Sequence, residues 1–265
     1  MTTAGKHMDT IKEKLFGLLS FQKLRGHNLL PRFPILRPFY RIYRGLYRGL
    51  KPEFVMIYGK KVYIGDDLIE LARQKEQYES ETTEVFKKMI KPGDTVIDIG
   101  ANIGYYTVLA STLVGPTGKI LAFEPSKQYF VLLEKTLKEN NIKNVQAFQK
   151  AVGRKKSRGK MISDVLVSGD DVDVVSLDEF IHEPIQFIKM DIEGHEMEAL
   201  NGMLKTIRKN PNLVLITEFN EYTLRAAGVS PNDFLSSLKA LGFTTTILGD
   251  KNKPYVKNLL CVIQH

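Results

Sequence analysis

Asp98 and Glu124 are the acids whose surroundings in the chain carry the clearest chemistry. Residues 98–104 read Asp-Ile-Gly-Ala-Asn-Ile-Gly, and twenty residues beyond Gly104 comes Glu124, within Phe-Glu-Pro at 123–125. Each motif closes a short apolar run, at 95–97 and 120–123, of a length suited to a buried strand. The stretch between them, 103–114, reads as a helix. In such a β-α-β unit, ligands sit beyond the carboxyl ends of the strands. Gly100 and Gly104 let the backbone turn tightly and approach a ligand closely. A dinucleotide site would show G-x-G-x-x-G, with pyrophosphate on the helix N-terminus. Here the spacing is G-x-x-x-G, and Asp98 stands just before the turn. Its carboxylate would repel a pyrophosphate and favour an ammonium or sulfonium group. Glu124 has the usual place for holding both ribose hydroxyls. The pair suits a cationic nucleoside better than a phosphate-bearing one. An ordinary α/β turn capped by an aspartate is the plainer reading of G-x-x-x-G alone, but the two motifs at this spacing favour the ligand.

The elements that must position these acids form an α/β pattern. Residues 54–64 read as a β-hairpin turning at 59–61, and 66–74 and 82–90 read as helices, the second ended by Pro92-Gly93. Further strands are expected at 145–148, 186–190, 213–217, 244–248 and 258–263, and helices at 129–139, 196–209 and 233–241. The last two strands are joined directly by 249–254, so they should form an antiparallel hairpin closing the sheet edge. The total is seven strands, mostly parallel. This divides the chain into a basic helical extension at 1–52, a hairpin and helices at 53–90, and an α/β domain at 91–265.

The 265 residues hold one cysteine, Cys261, which excludes an internal disulfide and a cysteine-based zinc site. It lies in an apolar run and reads as a core residue. No run approaches the ~18 apolar residues of a membrane span, and no signal peptide is evident, so the expected location is cytoplasmic. Residues 5–8, Gly-Lys-His-Met, resemble an expression scar, with native sequence starting at Met8. Of the net charge of +8, residues 1–61 contribute +10, with thirteen Lys and Arg against Asp9, Glu13 and Glu53, and the remainder is −2. Residues 9–19 form a short amphipathic pattern. Over 36–51 two stripes run side by side: Leu36, Tyr40, Tyr43, Tyr47 and Leu50, and one residue on, Arg37, Arg41, Arg44, Arg48 and Lys51. On a helix this is an aromatic ridge beside a basic ridge. It suits an anionic partner, whether a membrane surface, nucleic acid or an acidic glycan. It equally suits a helix that packs its tyrosines on the protein and leaves its arginines in water.

The chain resembles the class I S-adenosylmethionine-dependent methyltransferases, and most closely their FkbM-type family. The markers are Tyr78-Glu79, Lys91-Pro-Gly-Asp94 leading into the 98–104 motif, Ala122-Phe-Glu-Pro125, Ala151-Val-Gly153, Val-Ser-Leu-Asp-Glu-Phe at 175–180, and Phe-Ile-Lys-Met-Asp-Ile-Glu-Gly-His-Glu at 187–196. The resemblance implies a Rossmann-like fold with a seven-stranded sheet. It also implies methyl transfer, often to a hydroxyl of a sugar or secondary metabolite. It places the methionine end of the cofactor at Asp98, Gly100, Asn102 and Gly104, and the ribose at Glu124, with Pro125 and Ser126 shaping that loop. Adenine would lie by Ala151 and Val152, Asp191 would face the transferred methyl, and Tyr78 and Glu79 would close over the cofactor.

Methyl transfer to a hydroxyl gains from a general base within hydrogen-bond reach. Asp191, Glu193 and His195 lie on the strand-to-helix loop where such a base belongs, and His195 has the pKa best suited to the task near neutrality. Glu193, His195 and Glu196 also sit at a helix start, where carboxylates favour the helix dipole. Lys189, in a buried strand, is expected to pair with Glu218 or another carboxylate. Asp191, Glu218 and Asn220 make an all-oxygen set of the kind that can hold Mg²⁺, but their spacing is only suggestive and no metal is assigned. The expected acceptor is a small molecule or glycan, in a pocket built from the loop at 154–173 and the N-terminal segment. RNA methylation is the competing enzymatic reading, and a membrane-associated binding module that keeps the fold without turnover is the non-enzymatic one. The sequence has no Asn-Pro-Pro-Tyr motif and no cysteine near the predicted pocket, which argues against base methylation and leaves ribose methylation open.

Overall fold

A computed structural model describes residues 52–65, 79–162, 165–168, 171–249 and 256–263. The expected helices at 9–19, 36–51 and 66–74, the extension at 1–52 apart from Pro52, and Tyr78 lie outside the described residues. Backbone contacts divide the chain into two units, residues 1–55 with 64–75, and residues 56–63 with 76–265. In the described part of the first, the Ile64 amide donates to the Glu53 carbonyl at 3.1 Å.

Strands β1 (Phe54–Ile57) and β2 (Lys60–Tyr63) form a two-stranded ribbon. Its turn falls on Tyr58 and Gly59, at φ 48° and 74°, one residue earlier than the sequence reading. Two consecutive residues of positive φ make the tight hairpin turn whose twist matches the strands. Helix α1 (Ser80–Met89) follows and buries Thr82, Thr83 and Phe86.

The main sheet has seven strands in the order β12-β13-β11-β10-β3-β4-β5. These are β3 (Thr95–Ile99), β4 (Lys119–Phe123), β5 (Val145–Phe148), β10 (Phe187–Met190), β11 (Val214–Asn220), β12 (Phe243–Leu248) and β13 (Val256–Ile263). The pairs from β5 through β11 are parallel, and β13 runs antiparallel to both β11 and β12. This bears out the mostly parallel sheet with its antiparallel end. Cys261 is fully buried on β13 beside Leu215. The chain leaves β3 toward β4 on one side and returns to β10 on the other. The topological switch point therefore lies at β3, where a crevice opens beyond the carboxyl ends.

Helix α2 (Tyr105–Val114) crosses from β3 to β4 and buries nearly its whole length, which explains why its sequence is apolar all round rather than on one stripe. It begins later than the expected 103 because Gly104, at φ 95°, is its N-cap. Helix α3 (Lys127–Glu139) buries Tyr129, Leu133 and Thr136, spaced as one helical face. Its Thr136 hydroxyl accepts from the Tyr63 amide at 3.0 Å, and its C-cap Asn140 exchanges hydrogen bonds with the Lys61 backbone at 2.9 and 2.7 Å, which ties the ribbon to this helix. Phe123, Phe148 and Phe180 pack ring to ring, with centroids 5.1 to 5.6 Å apart. Aromatic clusters of this kind add about 1 kcal/mol per pair beyond their buried area.

A second sheet was not read from the sequence. It has the order β6-β9-β7-β8, from β6 (Lys150–Val152), β7 (Ser157–Ile162), β8 (Val165–Ser168) and β9 (Val172–Val175). The region 154–173, expected as loop, is largely a hairpin, β7 against β8, with β7 also pairing β9. Its basic residues are exposed, and Arg154 and Arg158 meet Glu198 and Asp173 at 3.1 and 3.3 Å. Helix α4 (Leu177–Phe180) leads toward β10. The expected single helix at 196–209 is two, α5 (Glu196–Asn201) and α6 (Leu204–Lys209). They break at Gly202, against which the Gly153 carbonyl rests where any Cβ would stand. Helices α7 (Glu221–Ala226) and α8 (Pro231–Ala240) complete the fold.

Candidate functional site

The carboxyl ends of β3, β4, β10 and β11 gather most of the acids singled out by sequence. Asp98, on β3, is 2 % exposed, and its Oδ2 accepts from the Thr107 hydroxyl of α2 at 2.5 Å. The backbone register sets Asp98 beside Lys189 of β10. Burial pushes the Asp98 acid up to about 6, against the opposing pull of Thr107 and the Lys189 ammonium. Asp98 thus lies beneath the glycine turn, already facing one internal cation.

The turn itself is held by backbone. The Gly100 and Ala101 amides both donate to the Phe123 carbonyl, at 2.9 and 3.0 Å. Gly100 has φ 81°, and a Cβ there would run into the Asp191 carbonyl oxygen. Only glycine lets the β3 turn and the end of β10 meet so closely. Asn102 also has positive φ, 51°. Its amide donates to Glu124 Oε2 at 2.8 Å, and the Ser126 amide donates to Oε1 at 2.7 Å. Glu124 is 5 % exposed, so its carboxylate is fixed in place from both sides. Pro125 leads into Ser126, the N-cap of α3. Ala151 and Val152 stand on β6, both buried. Glu79, at φ 43°, caps α1, and its Oε2 accepts from the Tyr106 hydroxyl at 2.8 Å and the Asn258 amide group at 3.0 Å.

Lys189 is 1 % exposed and donates to Asp191 Oδ2 at 3.2 Å. Its expected carboxylate partner is therefore Asp191. Burial alone would lower its pKa, but the charges of Asp191, Glu79 and Asp98 outweigh that and raise it. The ammonium also lies 5.1 Å from the Tyr106 ring centre. After Asp191 the loop turns through Glu193 and Gly194, at φ 52° and 101°. A Cβ on Gly194 would stand 2.6 Å from the Thr223 carbonyl oxygen, so this loop is seated against α7. His195, half-buried, is the N-cap residue of α5.

Sequence reasoning missed Glu196. Read only as an acid at a helix start, it is 1 % exposed, and its Oε1 accepts from the Ile192 and Gly194 amides, each at 3.2 Å. It organises the loop that carries Asp191 and Glu193. Burial pushes it up to about 7 against those hydrogen bonds. The Glu-x-x-Glu spacing, reaching back over Gly194, was the available signal. Asn220 departs from the acid set proposed for it. It is the N-cap of α7, and its Oδ1 accepts from the Tyr222 and Thr223 amides at 3.1 and 3.3 Å.

Glu193 joins Asp191 and Glu218 at the ends of β10 and β11. Asp191, Glu193 and Glu218 each bring one oxygen within 4.8 Å of the others. Glu218 is 8 % exposed, and its Oε2 makes no hydrogen bond. Burial, then the charges of Asp191, Glu193 and Glu196, push it up to about 9, with Lys189 pulling the other way. A folded-state pKa raised above the unfolded value gives stability that is lost as pH rises between the two. Replacing the acid by its neutral isostere removes that loss. In chelator-treated buffer, Glu218→Gln is expected to be more stable than the parent at pH 8 by a few kcal/mol. Near pH 5 the difference should shrink to about 1 kcal/mol or less. Urea unfolding at the two pH values checks this.

A model of the methyltransferase FkbM domain matches residues 98–245. A curated protein named methyltransferase 1, from Beauveria bassiana (strain ARSEF 2860), is 26% identical over a match that covers 42% of this chain and 59% of that protein. The chain thus spans under two thirds of that relative's length. A solved structure from Clostridium thermocellum, named as a candidate rRNA methylase, superposes with a TM-score of 0.52 at 14% identity, covering 70% of this chain and 96% of that one. A methyltransferase FkbM from Methylobacillus flagellatus KT gives a TM-score of 0.49 at 16% identity, over 86% of this chain and 71% of that one.

Proposed function

This chain belongs to the FkbM methyltransferase family and carries the seven-stranded fold of S-adenosylmethionine-dependent methyltransferases, and from that premise we propose that it methylates a hydroxyl oxygen of a sugar, glycan or small metabolite. The residues fit the donor. Glu124, fixed by two amides, is placed to hold a ribose diol, with Pro125 and Ser126 shaping its loop. Gly100, Asn102 and Gly104 bring backbone close to the methionine end, above the Asp98 acid. Ala151 and Val152 would border the adenine, and Glu79 would stand over the site. Bound S-adenosylmethionine supplies a sulfonium methyl for in-line displacement.

The observation that carries the hydroxyl acceptor is the acid mouth formed by Asp191, Glu193 and Glu218. A hydroxyl must shed its proton as it attacks, and a carboxylate within reach can take it. Asp191 abuts the glycine turn through its own backbone, which sets it beside the donor end. Glu193 and His195 share its loop and are the other candidate bases. Three clustered acids would repel an RNA backbone. Cys261, fully buried with its thiol pushed up to about 12, is no nucleophile for pyrimidine C5 chemistry. Among the described residues no helix is long and apolar enough to cross a membrane. The basic 36–51 stretch is the part of the sequence suited to an anionic membrane surface, with the protein placed in the cytoplasm.

The test is incubation with methyl-labelled S-adenosylmethionine and fractionated cell extract. Label in glycan or small-molecule fractions, stable to RNase, is expected. Label confined to RNA would overturn the acceptor assignment.

A further inference from the structure

Among the described residues, Lys189 is the ammonium that donates into the acid mouth. Asp191, Glu193 and Glu218 converge to within 4.8 Å, oxygen to oxygen. Lys189 donates to a single oxygen of that set, Asp191 Oδ2. Glu196, whose charge also reaches Glu218, has its Oε1 committed to two loop amides. The decisive observation is Glu218 itself. At 8 % exposure it is shut away from water, yet its Oε2 has no hydrogen-bond partner. A buried carboxylate without a donor costs several kcal/mol and persists where something satisfies it. Among the described residues no side chain does so.

We propose that Asp191, Glu193 and Glu218 bind one divalent cation of the hard, oxygen-preferring class, Mg²⁺, Mn²⁺ or Ca²⁺, at the carboxyl ends of β10 and β11. The donor set is all carboxylate oxygen, the chemistry such ions select. The spacing fits. Opposite ligands of one ion stand about 4.2 Å apart for Mg²⁺ and about 4.8 Å for Ca²⁺, twice the metal–oxygen distance. Adjacent ligands are closer. Three protein oxygens leave coordination positions open, and a hydroxyl-bearing acceptor bound there would lose its proton more readily. That last role rests on the proposed hydroxyl acceptor; the ion site does not.

The ion is measured apart from the reaction. The full chain, stripped with chelator and dialysed at pH 8, is titrated calorimetrically with MgCl₂, MnCl₂ and CaCl₂ without donor or acceptor. One ion per chain is expected for at least one of the three. Glu218→Gln and Glu193→Gln are each expected to weaken it at least 10-fold. Glu193 lies on an exposed loop, so its variant reports even where a change at Glu218 disturbs folding. Glu183→Gln, which alters a remote surface pair with Lys119, should bind as the parent does. No saturable binding of any of the three ions overturns the proposal, as does binding unchanged in both mouth variants. Methyl transfer that persists in chelator leaves the hydroxyl-methylation reading standing while removing the ion's part in it.

Discussion

Gly100→Ala is expected to leave little folded protein. Two costs fall on one position. The residue has φ 81°, where a side chain strains the backbone by about 1–2 kcal/mol. The larger cost is steric: the new Cβ would occupy the Asp191 carbonyl oxygen and stand 2.9 Å from its carbon. That carbonyl belongs to backbone at the end of a central strand, so no side-chain rotation relieves the overlap. The turn after β3 and the end of β10 would have to part, disrupting the parallel pairing that closes the crevice. A loss above about 4 kcal/mol is expected, lowering Tm by roughly 10 °C or more in a chain of this size. Gly59→Ala is the comparison. Gly59 has a similar φ, 74°, but nothing within 4 Å of its would-be Cβ. It should cost only the backbone share, about 1 kcal/mol. Thermal unfolding of the two variants side by side checks the argument, and equal losses would show that strain rather than the collision dominates.

Lys189→Met carries the second large effect. The methionine keeps most of the buried volume but removes the ammonium that stands among Asp191, Glu79 and Asp98. Asp98 is almost wholly buried and cannot turn to water. Breaking a buried ion pair by removing one partner costs about 3–5 kcal/mol. The pH dependence has a definite sign. Asp98 already has a raised folded-state pKa, about 6. Without Lys189 it rises further, so the folded protein is penalised as pH climbs through that range and is relieved as Asp98 takes up a proton. The deficit should be largest at pH 8 and clearly smaller at pH 5. Urea unfolding at both values measures it. A deficit independent of pH would mean that lost packing, not lost charge, is what the variant reports.

The parts of this architecture written in local pattern were legible in the sequence. The β-branched and apolar runs at 95–97 and 120–123 became β3 and β4. The stretch 258–263 became the body of β13, and its direct connection from β12 made the antiparallel pair. What was illegible depended on tertiary contact. The β7–β8 hairpin begins Ser-Arg-Gly-Lys, a polar and largely exposed stretch with no apolar alternation to mark it. The helix at 196–209 looked continuous because nothing local shows that the Gly153 carbonyl lies against Gly202. The acids of the site divide in the same way. Asp98 and Glu124 were found from motif spacing, and Asp191 from the family resemblance. Glu196 was read only as an acid at a helix start, because its burial and its two amide donors are visible only in three dimensions. Asn220 could have been read as a helix cap from its own position, just before Glu-Tyr-Thr, since asparagine at that place is a common N-cap. Tertiary position brought Glu193 to the acid mouth, while the Asn220 side chain caps the start of α7.

Calorimetric titration of the parent chain and of Glu124→Ala with S-adenosylmethionine tests the central claim most directly. The account predicts one donor molecule per chain for the parent. Glu124 is assigned two hydrogen bonds to the ribose hydroxyls, each worth about 1.5–3 kcal/mol to a charged acceptor. Their loss should weaken binding by at least about 100-fold in a variant whose circular dichroism stays that of a folded α/β protein. A parent chain that does not bind the donor, or a folded Glu124→Ala that binds it as tightly as the parent, would contradict the assignment of the donor site to the ends of β3 and β4.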